Sequence, residues 1–103
     1  MSRRGPEGKI QDAVVKYART EYGALVKKQE AGSYHISAGW PDVMVLGAGG
    51  KIFFIEFKAP GNALTPIQAH VARAITKLGH TTRVVRSVEE GCALVDQELG
   101  GDK

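Results

Sequence analysis

Two apolar runs on either side of a glycine turn constrain this chain more than any other feature: "DVMVLG" at 42–47 and "KIFFIEFK" at 51–58, joined by Ala48-Gly49-Gly50. Side chains alternate along a strand, so Val43, Val45, Phe53 and Ile55 share one face, and Met44, Leu46, Ile52 and Phe54 the other. Strands that are apolar on both faces belong in the middle of a sheet covered on both sides. Against this pattern stand three charges: Asp42 at the start of the first run, and Glu56 and Lys58 near the end of the second.

A three-residue turn pairs Gly47 with Lys51, and counting back sets Asp42 across from Glu56. Such turns commonly use glycine in the left-handed region, which this segment can supply. Directly opposed residues share a face with Cβ atoms roughly 4.5–5.5 Å apart. A slip of one residue would send the two carboxylates to opposite faces. Paired on a water-poor surface they must share a proton or bind a cation. Oxygen donors with no nearby thiolate favour a hard ion, Mg²⁺ or Mn²⁺, over zinc. Lys58 lies two residues beyond Glu56 on the same face, beside such an ion. There an ammonium can orient a water and stabilise charge growing on a phosphoryl oxygen, which suits metal-assisted phosphodiester hydrolysis. The competing reading is a buried ion network that only specifies the fold, although keeping one gains little over a hydrophobic isostere.

The rest of the chain frames this hairpin. Ile10, Val14, Tyr17 and Ala18 recur at helical spacing, predicting a first helix over 7–22 with Pro6 at its start and Gly23 at its end. Residues 24–30 read as a strand, and 31–39 as a glycine- and serine-rich loop. A second helix follows "PGNALTP": Thr65, Pro66 and Gln68 form a capping box, Ile67, Val71, Ala74, Ile75 and Leu78 its expected buried stripe, and Gly79 its stop. His70, Arg73 and Lys77 line its other side. "TTRVVRS" at 81–87 predicts a strand, and Val88, Cys92, Val95 and Leu99 a last helix. The order αβββαβα predicts an α/β fold with a mixed central sheet flanked by helices. A chain of 103 residues suits one domain, 1–103, with 1–5 and 100–103 as flexible ends.

Written as a motif, the charges are Pro41-Asp42, thirteen residues, then Glu56-Phe57-Lys58. This resembles the PD-(D/E)xK nuclease signature. With "GWPD", "EFKAPGN", "LTPIQ" and the closing "VVRS", the chain resembles the VRR-NUC family, virus-type replication-repair nucleases of the restriction-endonuclease-like class, from about residue 7 to 87. The resemblance implies Asp42 and Glu56 as metal ligands with the Phe57 main-chain carbonyl, Lys58 as the activating lysine, and Mg²⁺ or Mn²⁺ as cofactor. Glu7, three residues before Ile10, matches an acidic residue of the family's first helix, placed to reach the metal shell through water. Taken alone, it reads as a plain N-terminal acid favoured by the helix dipole. Gln68 is a family position near the site as well as a capping residue.

His70, Arg73 and Lys77 are candidate phosphate contacts or a solvated helix face; His35 reads as loop surface, Trp40 as packing and Cys92 as core. Net charge is +3 with a pI near 9.2, and no acid lies between Glu56 and Glu89 while Lys58, Arg73, Lys77, Arg83 and Arg86 do: either a positive field of the kind polyanions seek or a solvated face whose balancing acids lie elsewhere in the fold. No apolar run approaches the roughly 20 residues of a membrane span. The N-terminal stretch lacks an apolar signal core, so the expectation is a cytoplasmic protein, bacterial or in a phage-infected host. The resemblance further implies a DNA endonuclease acting on branched DNA such as four-way junctions, as a homodimer. The alternatives are a flap- or end-directed nuclease, a non-catalytic nucleic-acid-binding module of the same fold, and a structural α/β protein.

Overall fold

The computed structural model describes residues 5–29 and 38–101. Helix α1 (Gly5–Tyr22) leads into strand β1 (Leu25–Lys28). Strand β2 (Val43–Gly47) and strand β3 (Lys51–Phe57) follow as a hairpin, then helix α2 (Pro66–Lys77), strand β4 (Thr81–Val85) and helix α3 (Val88–Leu99). The loop expected at 31–39 lies almost wholly outside the described residues, and His35 with it.

The sheet has the order β1-β2-β3-β4, antiparallel except for the parallel β3–β4 pair. The hairpin register is the expected one, Gly47 against Lys51 through Val43 against Ile55. Its turn relies on Gly49 and Gly50 at φ 76° and 80°, the left-handed region where a side chain would be strained.

The first sheet face forms the core. Val43, Val45, Phe53, Ile55, Phe57 and Val85 are buried with Ile10, Val14, Val15 and Ala18 of α1 and Leu94 and Val95 of α3. Burying side chains of this size stabilises the fold by about 1.5–3 kcal/mol each. Val14 and Val85 lie close against Gly91, leaving no space for a Cβ where α3 crosses α1.

The second face departs from the expectation of a covered sheet. Met44, Leu46 and Phe54 are only half-buried, and Ile52 is 39% exposed. Helix α2 has 12 residues and so spans about 18 Å. It lies over the β3–β4 end, where Gln68 and Ala72 meet Glu56, Thr82 and Val84, and leaves the β1–β2 end open.

The face α2 turns inward also differs from the expected apolar stripe. Ile75 is buried and Val71 half-buried, whereas Ala74 is exposed, Ile67 is 52% exposed and Leu78 is 77% exposed. The inward row is Gln68, Val71, Ala72 and Ile75, with helical spacing. A polar contact sets this phase: the Gln68 amide hydrogen-bonds Glu56 beneath it. The capping box itself forms as expected, with Thr65 Oγ1 accepting from the Gln68 N–H at 3.2 Å and Gln68 Oε1 accepting from the Thr65 N–H at 2.9 Å.

Candidate active site

The site is built where the central strands end. Proline at 41 interrupts the chain before β2, so the ladder stops at Val43 and Asp42 stands one step beyond it. Continuing the register sets Asp42 across from Glu56. The Asp42 carboxylate accepts the Phe57 N–H at 2.8 Å, while its carbonyl accepts the Gln29 N–H, so its backbone and its side chain are both tied to neighbouring strands. Asp42 is 8% exposed and Glu56 6%. Two carboxylates thus occupy one end of the mainly apolar central strand pair.

Lys58 extends the same strand. Its N–H donates to the Val85 carbonyl at 3.0 Å, prolonging the β3–β4 pairing past Phe57. Its Nζ stands 3.8 Å from Glu56 Oε2, with 13% of its side chain exposed. That distance is an ion pair, longer than a hydrogen bond. The Gln68 Nε2 donates to the same Oε2 at 3.1 Å. Because Oε1 of Gln68 faces the Thr65 N–H, the orientation of the amide follows from the network, and its NH₂ end must face Glu56. Gln68 therefore serves both as a helix cap and as a partner of the buried acid.

Glu7 enters from the first turn of α1. Its Oε2 accepts the Ala59 N–H at 3.1 Å and the Asn62 side-chain amide at 3.3 Å. These bonds fasten it to the turn that follows Lys58. His70, Arg73 and Lys77 all lie on the exposed side of α2, as a row facing away from Glu56. The Trp40 ring packs against Phe54 at 6.2 Å between centroids, the packing role expected of it, though the residue is 45% exposed. Cys92 is half-buried, and burial, followed by the charges of Asp96 and Glu89, pushes its thiol pKa up.

Two participants, Arg86 and Asn62, escaped the sequence reading. Arg86 counted there only as part of a positive stretch, yet its Nη1 donates to the carbonyls of Ala59, at 3.2 Å, and Asn62. Asn62 read as part of a chain break, and it supplies the amide that meets Glu7. Gln11, one helical turn after Glu7, holds a buried side-chain oxygen with no hydrogen-bond partner among the described residues. No periodicity or spacing rule marks Arg86 or Asn62, because each acts through a contact between distant segments.

The donor chemistry fits a hard divalent ion: two buried carboxylates and no sulfur, with the Phe57 main-chain carbonyl as the further donor that the family resemblance implies. Magnesium is typically bound by one or two carboxylates together with waters and substrate phosphate, so a two-carboxylate site is sufficient. Among the described residues no group of three or more His, Cys, Asp or Glu is placed to hold a metal, so the protein's share of such a site would be this small set.

A mixed four-stranded sheet flanked by helices, with acids at the ends of its central strands, is the architecture of a nuclease-like α/β core. The solved structures it is similar to are VRR-NUC domains. A solved structure described as "VRR_NUC domain" superposes with a TM-score of 0.79 at 28% identity, over 90% of this chain and 97% of that one. A second, "VRR_NUC domain protein", superposes at 0.73 over 93% of this chain and 89% of that one, and at 19% identity it speaks to the fold alone. No family model matches the sequence, and no curated protein does. No helix among the described residues is long and apolar enough to cross a membrane.

Proposed function

We propose that this chain is a Mg²⁺- or Mn²⁺-dependent DNA endonuclease that hydrolyses phosphodiester bonds in branched DNA, such as four-way junctions, and works as a homodimer. The observation that carries this reading is the juxtaposition of buried Glu56 with the Lys58 ammonium at 3.8 Å, beside Asp42 at the same end of the sheet. A divalent ion held by Asp42, Glu56 and the Phe57 carbonyl would lower the pKa of an attacking water and screen the phosphate charge. The Phe57 N–H orients Asp42, and Gln68 orients Glu56. Lys58 is placed to hold the attacking water and to stabilise the developing negative charge. One small domain offers one such site, whereas a symmetric four-way junction needs two opposed cuts, which a two-fold dimer supplies.

The purified protein with Mn²⁺ or Mg²⁺ should nick a labelled four-way junction in preference to a flap, a duplex or a single strand. Lys58→Ala should abolish cutting and leave salt-sensitive DNA binding intact. A second reading is a nucleic-acid-binding module of the same fold without catalysis. Equal binding by wild type and Lys58→Ala, with no cutting of any of the four substrates, would decide for that reading.

A further inference from the structure

The segment that carries Lys58 toward α2 is gripped from two sides. Ala59-Pro60-Gly61-Asn62 forms a tight turn, closed by the Asn62 N–H donating to the Ala59 carbonyl at 3.1 Å. Proline at its second position and Gly61 at φ 89° are the signature of a type II turn. The Glu7 carboxylate meets two of its donors, the Ala59 N–H and the Asn62 amide. The Arg86 guanidinium meets two of its acceptors, the carbonyls of Ala59 and Asn62. One charged group satisfies the donors of the turn and an opposite one its acceptors.

The clamp acts in sequence with the sheet. Val85 holds the Lys58 N–H, and the next residue, Arg86, holds Ala59, the residue after Lys58. Arg86 is itself anchored, since its backbone N–H donates to Glu90 Oε1 at 2.7 Å in the first turn of α3. Three elements, α1, β4 and α3, thereby converge on the backbone just past the lysine.

We propose that Glu7 and Arg86 clamp the Ala59–Asn62 turn, and that Arg86 is a positioning residue that fixes Lys58 for phosphodiester hydrolysis. The inference rests on the nuclease reading above for its catalytic half only. Arg86 then spends its charge on the protein backbone and not on DNA. A misplacement of about 1 Å at a reacting group can lower a rate about 10²-fold, which is the scale expected here.

The test uses the full chain as wild type, Arg86→Ala and Arg86→Lys. Amide hydrogen exchange is read by NMR without metal or DNA, and single-turnover cleavage is read at saturating four-way junction with Mn²⁺. Arg86→Ala should speed exchange at Ala59 and Asn62 by about tenfold or more while Phe53 and Ile55 stay protected. It should slow cleavage about 10²-fold at unchanged DNA affinity. Arg86→Lys keeps the charge but loses the planar fork, and should be intermediate in both readouts. Unchanged exchange at Ala59 and Asn62 would overturn the clamp. A cleavage loss that tracks weakened DNA binding, and that lysine restores in full, would make Arg86 a phosphate contact and overturn the positioning role. Should Arg86→Ala fail to fold, the same two readouts on Arg86→Lys decide. If wild type cuts no substrate, the positioning role falls with the nuclease reading, while exchange still decides the clamp.

Discussion

Two carboxylates in this protein join distant parts of the chain, and they do so under opposite conditions. Asp96, exposed on α3, accepts the hydroxyls of Tyr17 at 2.7 Å and Tyr22 at 2.6 Å through one oxygen. The two rings meet edge-on at 6.3 Å and tie α1 to α3. Glu56 is buried, and its partners include an amide at 3.1 Å and an ammonium at 3.8 Å. Short bonds from neutral hydroxyls to a solvated acid make a fastening. An acid buried beside a lysine ammonium at the end of the central strands makes a candidate site. Burial of the charged group, more than the number of its partners, separates a structural acid from a chemical one.

The largest test of this contrast is catalytic. Glu56→Gln should lower cleavage by about 10²–10⁴-fold, the usual range for removing a group that acts on the reacting proton or its metal. Asp96→Asn should leave the cleavage rate unchanged. A gel assay on four-way junction DNA checks both, and equal losses would break the distinction.

Next in size is stability at Gln68. Gln68→Ala removes one half of the capping box and leaves a buried acid short of a donor, at a cost of about 1–3 kcal/mol. Thr65→Ala removes only the cap, at about 1 kcal/mol. Urea denaturation of the two variants sharpens the comparison: equal costs would mean that the bond to Glu56 contributes nothing.

The smallest effect is alkaline. The Asp96 hydrogen bond, aided by burial and by the acid's charge, pushes the Tyr17 pKa up to about 12 from 10, and the same bond raises that of Tyr22. A folded pKa above the unfolded one means that the folded state holds the proton more tightly. The stabilisation is therefore complete below pH 10 and is lost as pH rises from 10 toward 12. Ultraviolet titration of tyrosinate should show Tyr17 ionising nearer its ordinary pKa in Asp96→Asn. Thermal melts of that variant should lose less stability over this interval than wild type.

The hairpin shows why part of the site was legible in the sequence. Its register depends on turn length and glycine placement, both local, and so Asp42 and Glu56 could be brought together by counting. Lys58 followed from strand alternation. Helix α2 shows the limit: its apolar residues suggested one inward face, but a hydrogen bond from Gln68 to Glu56 turned another. Glu7 entered as a match to the family's first-helix acid, yet its bonds to Ala59 and Asn62, 52 and 55 residues away, follow no local rule.

The sequence by itself determined the elements, the register of the central strands and the presence of acids on a water-poor face, because turn chemistry and side-chain alternation act over a few residues. Tertiary structure alone decided which groups hold those acids and the lysine. Gln68, Arg86 and Glu7 reach their partners only after helices and strands pack, and a hydrogen bond of about 3 Å between distant segments depends on packing geometry that no short stretch of chain encodes.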